Sequence, residues 1–250
     1  MKIGVVGNYG NNNQGDEAIL EGILVQLQNA YQLKREDILV FSNNPAQTHE
    51  KYGVKTVNLF QRRKTDPMKL IATLMHHRPI IRKLDVLLIG GGGILMDLYR
   101  NNPIVYGMYA WMAKRTKTPY VVYGVGVGPL TTMFGKKIIR SIANGANVVT
   151  VRDPKSKELL RTIGVNKPIH VISDPAFFVP LPEKPVKEHD GFHIGVTAVP
   201  YYNKRYWPKE DKQKYKDYID GMATNLDNLL DANQSATVNF FLPSTRMILR

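Results

Sequence analysis

The sequence predicts a doubly wound α/β fold of Rossmann-like type, with a parallel sheet covered by helices on both faces. Three observations predict it. Short β-branched apolar runs alternate with helical stretches over the first 180 or so residues, as a sheet buried on both faces requires. A glycine- or aspartate-containing turn follows most of these runs, so the functional loops collect along the carboxyl edge of the sheet, where such folds bind ligands. Finally, 43% of the 250 residues are hydrophobic, which supports a packed core and excludes wholesale disorder.

In chain order, strands are predicted at 3–6, 38–41, 86–89, 120–125, 148–151 and 170–172, with helices at 17–30, 67–84, 103–115, 136–144 and 154–163. The opening Ile3-Gly4-Val5-Val6 is too short for a signal h-region and reads as a buried first strand. Pro154 suits the first turn of the last helix, because its fixed φ is helical and its missing N–H is not needed there. The domain so defined covers residues 1–179. Residues 180–191, Pro-rich and charged, read as a linker. From 192 to 250 the pattern restarts, with a strand at 193–197, a helix at about 209–232 and a strand at 237–242. One βαβ unit cannot bury a core by itself, so a second α/β domain is expected to begin here and to be incomplete within these residues.

There are 34 Lys and Arg against 21 Asp and Glu, a formal net charge of +13. That excess points to an anionic partner. Cysteine is absent, which excludes disulfide scaffolds, Cys-ligated metal sites and thiol catalysis, and suits a reducing cytoplasm. No His, Asp and Glu group has ligand spacing, so no metal is expected. The most apolar stretch, 84–96, is broken by four glycines and falls well short of the roughly 20 residues a bilayer span requires. The expected setting is cytoplasmic, soluble or at most peripheral at the inner face of the membrane.

Three glycine-bearing loops are the candidate site. The first, Gly7-Asn8-Tyr9-Gly10-Asn11-Asn12-Asn13-Gln14-Gly15-Asp16-Glu17, joins the first strand to the first helix, where backbone N–H groups can cradle an anion. It is not a dinucleotide fingerprint, since its glycines fall at 7, 10 and 15. Nor is it an ATPase loop, since Asp16-Glu17 occupy the Lys-Ser/Thr places and put negative charge where phosphate would sit. Asp16 either caps the helix or, with Asn13, lines a substrate cleft. The second loop contributes Gly91 and Gly92 from the run Gly90-Gly91-Gly92-Gly93. The third, Gly124-Val125-Gly126-Val127-Gly128-Pro129, contributes Gly126. Glycines there let a ligand or another backbone approach closely. Arg152 follows an apolar strand and can hold a carboxylate or phosphate bidentately. The alternative is a structural pair with Asp153 or Asp174.

Five segments in order carry a resemblance: G-N-Y-G-x-x-N-x-G-D-E-A-I, D-V-L-L-I-G-G-G-G-I-L-x-D, Y-G-V-G-V-G-P, V-x-V-R-D-P-x-S and S-D-P-A-F, spanning residues 1 to about 180. Together they resemble the polysaccharide pyruvyl transferase family. The resemblance implies a two-domain, GT-B-like fold with the active site between its halves. It also implies transfer of a pyruvyl group from phosphoenolpyruvate, as donor substrate and without further cofactor, to a sugar hydroxyl of a cell-surface polysaccharide or lipid-linked glycan. By that pattern Arg152 would contact phosphoenolpyruvate, and Asn13 and Asp16 would line the cleft. Gly91, Gly92 and Gly126 join them as candidates from their places at the strand ends, as does Asp174, which could serve as a base or as a partner to Arg152 at the same edge. The family's catalytic histidine lies in an R-L-H motif, and none of the six histidines here has that context, so the catalytic residue is unassigned. A GT-B glycosyltransferase using a nucleotide sugar, and a non-catalytic remnant, are the competing readings.

Between residues 61 and 84 seven cations accompany one acid, Asp66, and Met68, Leu70, Ile71, Leu74 and Met75 recur at about helical spacing. Such a helix either lies on an anionic membrane or presents a solvated basic face over a core stripe. Tyr201-Tyr202-Asn203-Lys204-Arg205-Tyr206-Trp207 mixes aromatics with cations, but no nucleic-acid motif accompanies it and no nucleic-acid partner is expected.

Overall fold

The computed structural model describes residues 1–61, 65–99, 101–181, 191–203, 207 and 210–241, with only the backbone of residue 66. The chain divides into two compact units, Met1–Pro180 and Leu181–Arg250. Most of the expected linker, residues 182–190, lies outside the described residues.

In the first unit seven parallel strands alternate with helices. They are β1 (Ile3–Val6), α1 (Gln14–Tyr31), β2 (Ile38–Ser42), α2 (Pro45–Tyr52), β3 (Lys55–Asn58), α3 (Asp66–Ile81), β4 (Val86–Gly90), α4 (Asn102–Thr116), β5 (Tyr120–Val125), α5 (Met133–Gly145), β6 (Val148–Val151), α6 (Pro154–Thr162) and β7 (His170–Val171). The sheet order is β3-β2-β1-β4-β5-β6-β7, with Ile3 in register with both Ile38 and Val86. The fold is therefore a Rossmann-like doubly wound sheet. The strand order reverses beside β1, and ligands of such sheets bind at the carboxyl ends of the strands on either side of that point.

Two apolar layers hold the sheet. One packs Ile19, Leu20, Ile23, Leu24 and Leu27 of α1 on Ile3, Val5, Ile38 and Val40. The other packs Tyr109, Met112, Ile139 and Ile142 of α4 and α5 on Phe41, Leu87, Ile89 and Val122. Burying one such side chain fully contributes about 1.5–3 kcal/mol, so the two layers dominate the stability of the unit.

Several bounds differ from the sequence reading, for local reasons. Helix α1 starts at Gln14, three residues early, because Asn13 is its N-cap and accepts from the Gly15 N–H. The α5 start moves to Met133 because Thr132 caps it through the Gly135 N–H. Helix α2 and strand β3 were not expected. The strand sits at the sheet edge with Lys55 and Asn58 exposed, so it carries no continuous apolar run. In α3 the five apolar residues do not form one face. Leu70 and Leu74 turn toward the core with Thr73 and His77, while Met68, Ile71 and Met75 stay exposed.

The second unit holds β8 (His193–Thr197), α7 (Lys212–Ala232) and β9 (Thr237–Phe241). The two strands pair in parallel, with His193 opposite Thr237. None of its described residues is buried. Tyr201 packs its ring 4.5 Å from Tyr202 and 4.6 Å from Trp207, so these aromatics pack edge-on and tilted against one another. Residues 204–206 of that segment lie outside the described residues.

Candidate active site

The three glycine loops leave β1, β4 and β5, which are adjacent in the sheet, and so they share one rim. Backbone bonds stitch them together. Gly91 donates to the Tyr123 carbonyl at 2.9 Å, Gly126 donates to Gly92 at 2.8 Å, and the buried Tyr9 hydroxyl donates to Gly90 at 2.5 Å. Farther along, Asp97 accepts from the N–H and hydroxyl groups of both Thr131 and Thr132 at 2.6–3.1 Å. Burial works to raise its pKa, but these four bonds outweigh it and hold the carboxyl below its ordinary range.

The opening loop is held by a buried carboxylate, Glu17. Glu17 accepts from the Gly10 N–H at 2.9 Å and from the Tyr52 hydroxyl at 2.8 Å. Tyr52 comes from α2, an element absent from the sequence reading. Above this support the asparagines bond to one another and to Asp16. Asn11 donates to Asn8 Oδ1 at 2.7 Å, and Asn8 donates to Asp16 Oδ2 at 2.8 Å. The capping alternative for Asp16 is thereby corrected: Asn13 caps α1 and Asp16 is free to face the rim. Asn13 itself is exposed, with its side-chain oxygen committed to the cap.

Asp16 and Arg152 converge on successive glycines. A Cβ on Gly92 would stand 2.8 Å from Asp16 Oδ1, and a Cβ on Gly93 would stand 3.9 Å from Arg152 Nη2. On the other side a Cβ on Gly126 would stand 2.8 Å from Arg152 Nε. Gly92 and Gly126 are thus the spaces in which the charged groups lie. Gly91 is different. Its missing side chain makes room for Ile19 of α1 and for the Tyr9 hydroxyl, and its φ is +77°, so packing and backbone conformation already call for a glycine there.

Arg152 donates through Nη1 to Asp174 at 2.9 Å, so the alternative pairing with Asp153 is not formed. Asp153 instead caps α6 through the Ser156 N–H at 2.7 Å. Asp174 uses its other oxygen to cap the short 3₁₀ helix Pro175–Phe178. With 36% of its side chain exposed, Arg152 keeps an open face toward the rim. Burial pushes the Asp16 carboxyl up to about 6, with Glu17 adding to the rise, while the Asn8 bond and Arg152 work against it. A carboxyl that titrates at about 6, near a partly exposed guanidinium, suits proton transfer next to a bound anion.

The structure brings Asp16, Gly92, Gly126, Arg152 and Asp174 to one rim. Asn8 and Glu17 are site-shaping residues that the sequence reading missed. The run of side-chain amides was the signal for Asn8, whereas a glutamate in the first helical turn carries no signal that it turns inward. Among the described residues no three His, Asp or Glu side chains gather as a metal site.

The fold is shared with GT-B-type glycosyltransferases and sugar-nucleotide epimerases of known structure. The lipopolysaccharide outer core galactosyltransferase WaaB aligns over 96% of this chain and 68% of its own, at 14% identity and a TM-score of 0.56. The UDP-GlcNAc 2-epimerase from Methanocaldococcus jannaschii aligns over 96% and 65%, at 13% identity and 0.58. Anabaena HepE, solved with UDP and glucose, aligns over 96% and 69%, at 12% and 0.56. The chain spans about two thirds of the length of these proteins, and at such identities the likeness is one of fold. No curated protein matches the sequence. The family profile of polysaccharide pyruvyl transferases matches residues 13–237, and the chain belongs to that family.

Proposed function

We propose that this chain carries the donor-binding rim of a transferase that moves a pyruvyl group from phosphoenolpyruvate to a sugar diol of a surface polysaccharide or lipid-linked glycan. The observation that carries the reading is the half-exposed Arg152 guanidinium in the space left by Gly126, 2.9 Å from Asp174 and electrostatically coupled to Asp16. Phosphoenolpyruvate is a small dianionic-to-trianionic ligand, and a planar guanidinium recognises its carboxylate or phosphate. Glycine backbone along the rim permits the close approach such a compact ligand needs.

The chemistry requires one proton at the terminal carbon of the donor, which leaves positive charge at C2. A sugar hydroxyl adds there and loses its proton, the C2–O bond to phosphate breaks, and the second hydroxyl closes the ketal. Inorganic phosphate is the other product. A cation that holds the departing phosphate stabilises the transition state more than the ground state, and Arg152 is suited to it. Asp16, protonated up to about pH 6, is suited to exchange a proton with a sugar hydroxyl. The acid for the terminal carbon is not assigned among residues 1–250, which contain no R-L-H tripeptide.

The fold of WaaB and HepE favours one competing reading, a glycosyltransferase that takes a nucleotide sugar. The two separate on donor demand. Incubation of the enzyme with phosphoenolpyruvate and glycan is expected to release inorganic phosphate without any nucleotide sugar. Transfer that proceeds only with a nucleotide sugar, and leaves phosphoenolpyruvate intact, overturns the proposal.

A further inference from the structure

Helices α3, α4 and α5 share an outer surface that the rim does not use. Residues 66–145 carry eleven Lys or Arg against three Asp and no Glu. Two of those aspartates are engaged: Asp85 accepts from the Lys2 N–H, and Asp97 is buried against Thr131 and Thr132. The same surface exposes large apolar side chains from all three helices: Met68 at 52%, Ile71 at 57%, Met75 at 74%, Trp111 at 44%, Met133 at 69% and Phe134 at 61%. Leu70, Trp111, Phe134 and Ile138 line a groove of about 510 Å³ between the helices. It is continued by a basic hollow holding Lys114, Lys137 and Arg140. At the far ends of α3 and α4, Arg78, Arg82, Arg115 and Lys117 border a second basic hollow.

We propose that the α3–α4–α5 face seats the protein on an anionic lipid bilayer. An exposed apolar patch of this extent marks an interaction surface, and its flanking charge decides the partner. A second copy of the chain would set these cations against their own kind. Nucleic acid would pair with the cations but leave the methionines and Phe134 without apolar cover. A bilayer satisfies both sets of groups: the apolar side chains enter the headgroup–acyl boundary, and the long Lys and Arg stems lie beside them with their charges at the phosphates. The sequence suggested one basic amphipathic helix for this role. The structure distributes the role over three helices and turns Leu70 and Leu74 of the first toward the core. No helix among the described residues is long and apolar enough to cross a membrane, and the contact proposed is a peripheral one. The N-termini of α4 and α5 follow the loops that leave β4 and β5, so a seated molecule holds its rim close to the membrane surface, which suits a lipid-linked acceptor if the pyruvyl-transfer reading holds.

The test reads binding alone, so it stands or falls apart from the enzymatic reading. The chain carries two tryptophans, and Trp207→Phe leaves Trp111 as the sole reporter. Its fluorescence is expected to shift to the blue with vesicles of phosphatidylcholine and phosphatidylglycerol, and not with phosphatidylcholine alone. Flotation with the mixed vesicles is expected to fall about fivefold or more in Met133→Ser with Phe134→Ser, and in Lys137→Glu with Arg140→Glu. Lys2→Glu with Lys34→Glu makes the same change of charge off this face and is expected to bind as the parent does. The proposal is overturned by an unshifted Trp111, by full binding of the Met133/Phe134 variant, or by equal losses in the Lys2/Lys34 control. It is equally overturned by a dimer that Phe134→Ser dissociates.

Discussion

Asp16 is a carboxyl that burial keeps protonated up to about pH 6, against an ordinary 3.8. Its ionised form is disfavoured in the folded state, so the cost is absent below about pH 4, grows between pH 4 and 6, and is complete above. Asp16→Asn keeps an acceptor for Asn8 and is expected to raise stability by about 2–3 kcal/mol at pH 8, with little change near pH 4. Chemical denaturation at the two pH values checks this, and an equal effect at both contradicts it. A residue that lowers the stability of its own fold is one that packing alone would not retain. Gly126→Ala places a methyl where Arg152 Nε lies. The guanidinium is flexible and must give way, so the variant is expected to stay within about 1 kcal/mol of the parent in stability while phosphoenolpyruvate binding is lost. Arg152 was legible in the sequence because an apolar strand delivers it directly before a helix start. Asp153 looked an equally good partner there, and only the geometry gave that role to Asp174.

At the scale of elements, glycines that look alike in sequence divide by what fills the missing side chain. Gly91 stands over Ile19 at φ +77°, so Gly91→Ala is expected to cost about 2–4 kcal/mol through overpacking and backbone strain. A melting curve tests it, and an unchanged midpoint contradicts the packing role. The contrast between Gly91→Ala and Gly126→Ala separates loops that build the rim from loops that open it. The central strands were legible because each is a short, largely apolar run that leads into a glycine-bearing turn. The start of α1 was not, since the bulk of the asparagine run masks which residue caps. Strand β3 escaped for a related reason: an edge strand of four residues with its ends in water carries no periodic signal. Tyr52 and Glu17, which brace the opening loop, were hidden with it.

Across the whole molecule, the two units differ in what they bury. The first holds two apolar layers around seven strands. The second has a two-stranded sheet and one long helix with no buried residue among those described. Residues 1–180 are therefore expected to unfold cooperatively on their own, whereas residues 181–250 are expected to show no cooperative transition. Calorimetry of the two fragments checks this, and a sharp transition in the smaller one contradicts it. The chain divides after Pro180, beside a stretch rich in prolines and charge where apolar periodicity lapses and then restarts. The assembly of the rim from loops roughly 35 to 115 residues apart was legible only through the order of motifs, since adjacency of β1, β4 and β5 is a property of the sheet and not of the chain.

The account turns on Arg152 as the anion holder of the rim, and a titration of the 250-residue chain with phosphoenolpyruvate reads it directly. Saturable binding is expected in the parent, weakened about tenfold or more in Arg152→Ala. That variant loses only a partly exposed ion pair and is expected to melt within a few degrees of the parent. Equal affinity in the two proteins, or a variant that no longer folds, would contradict it.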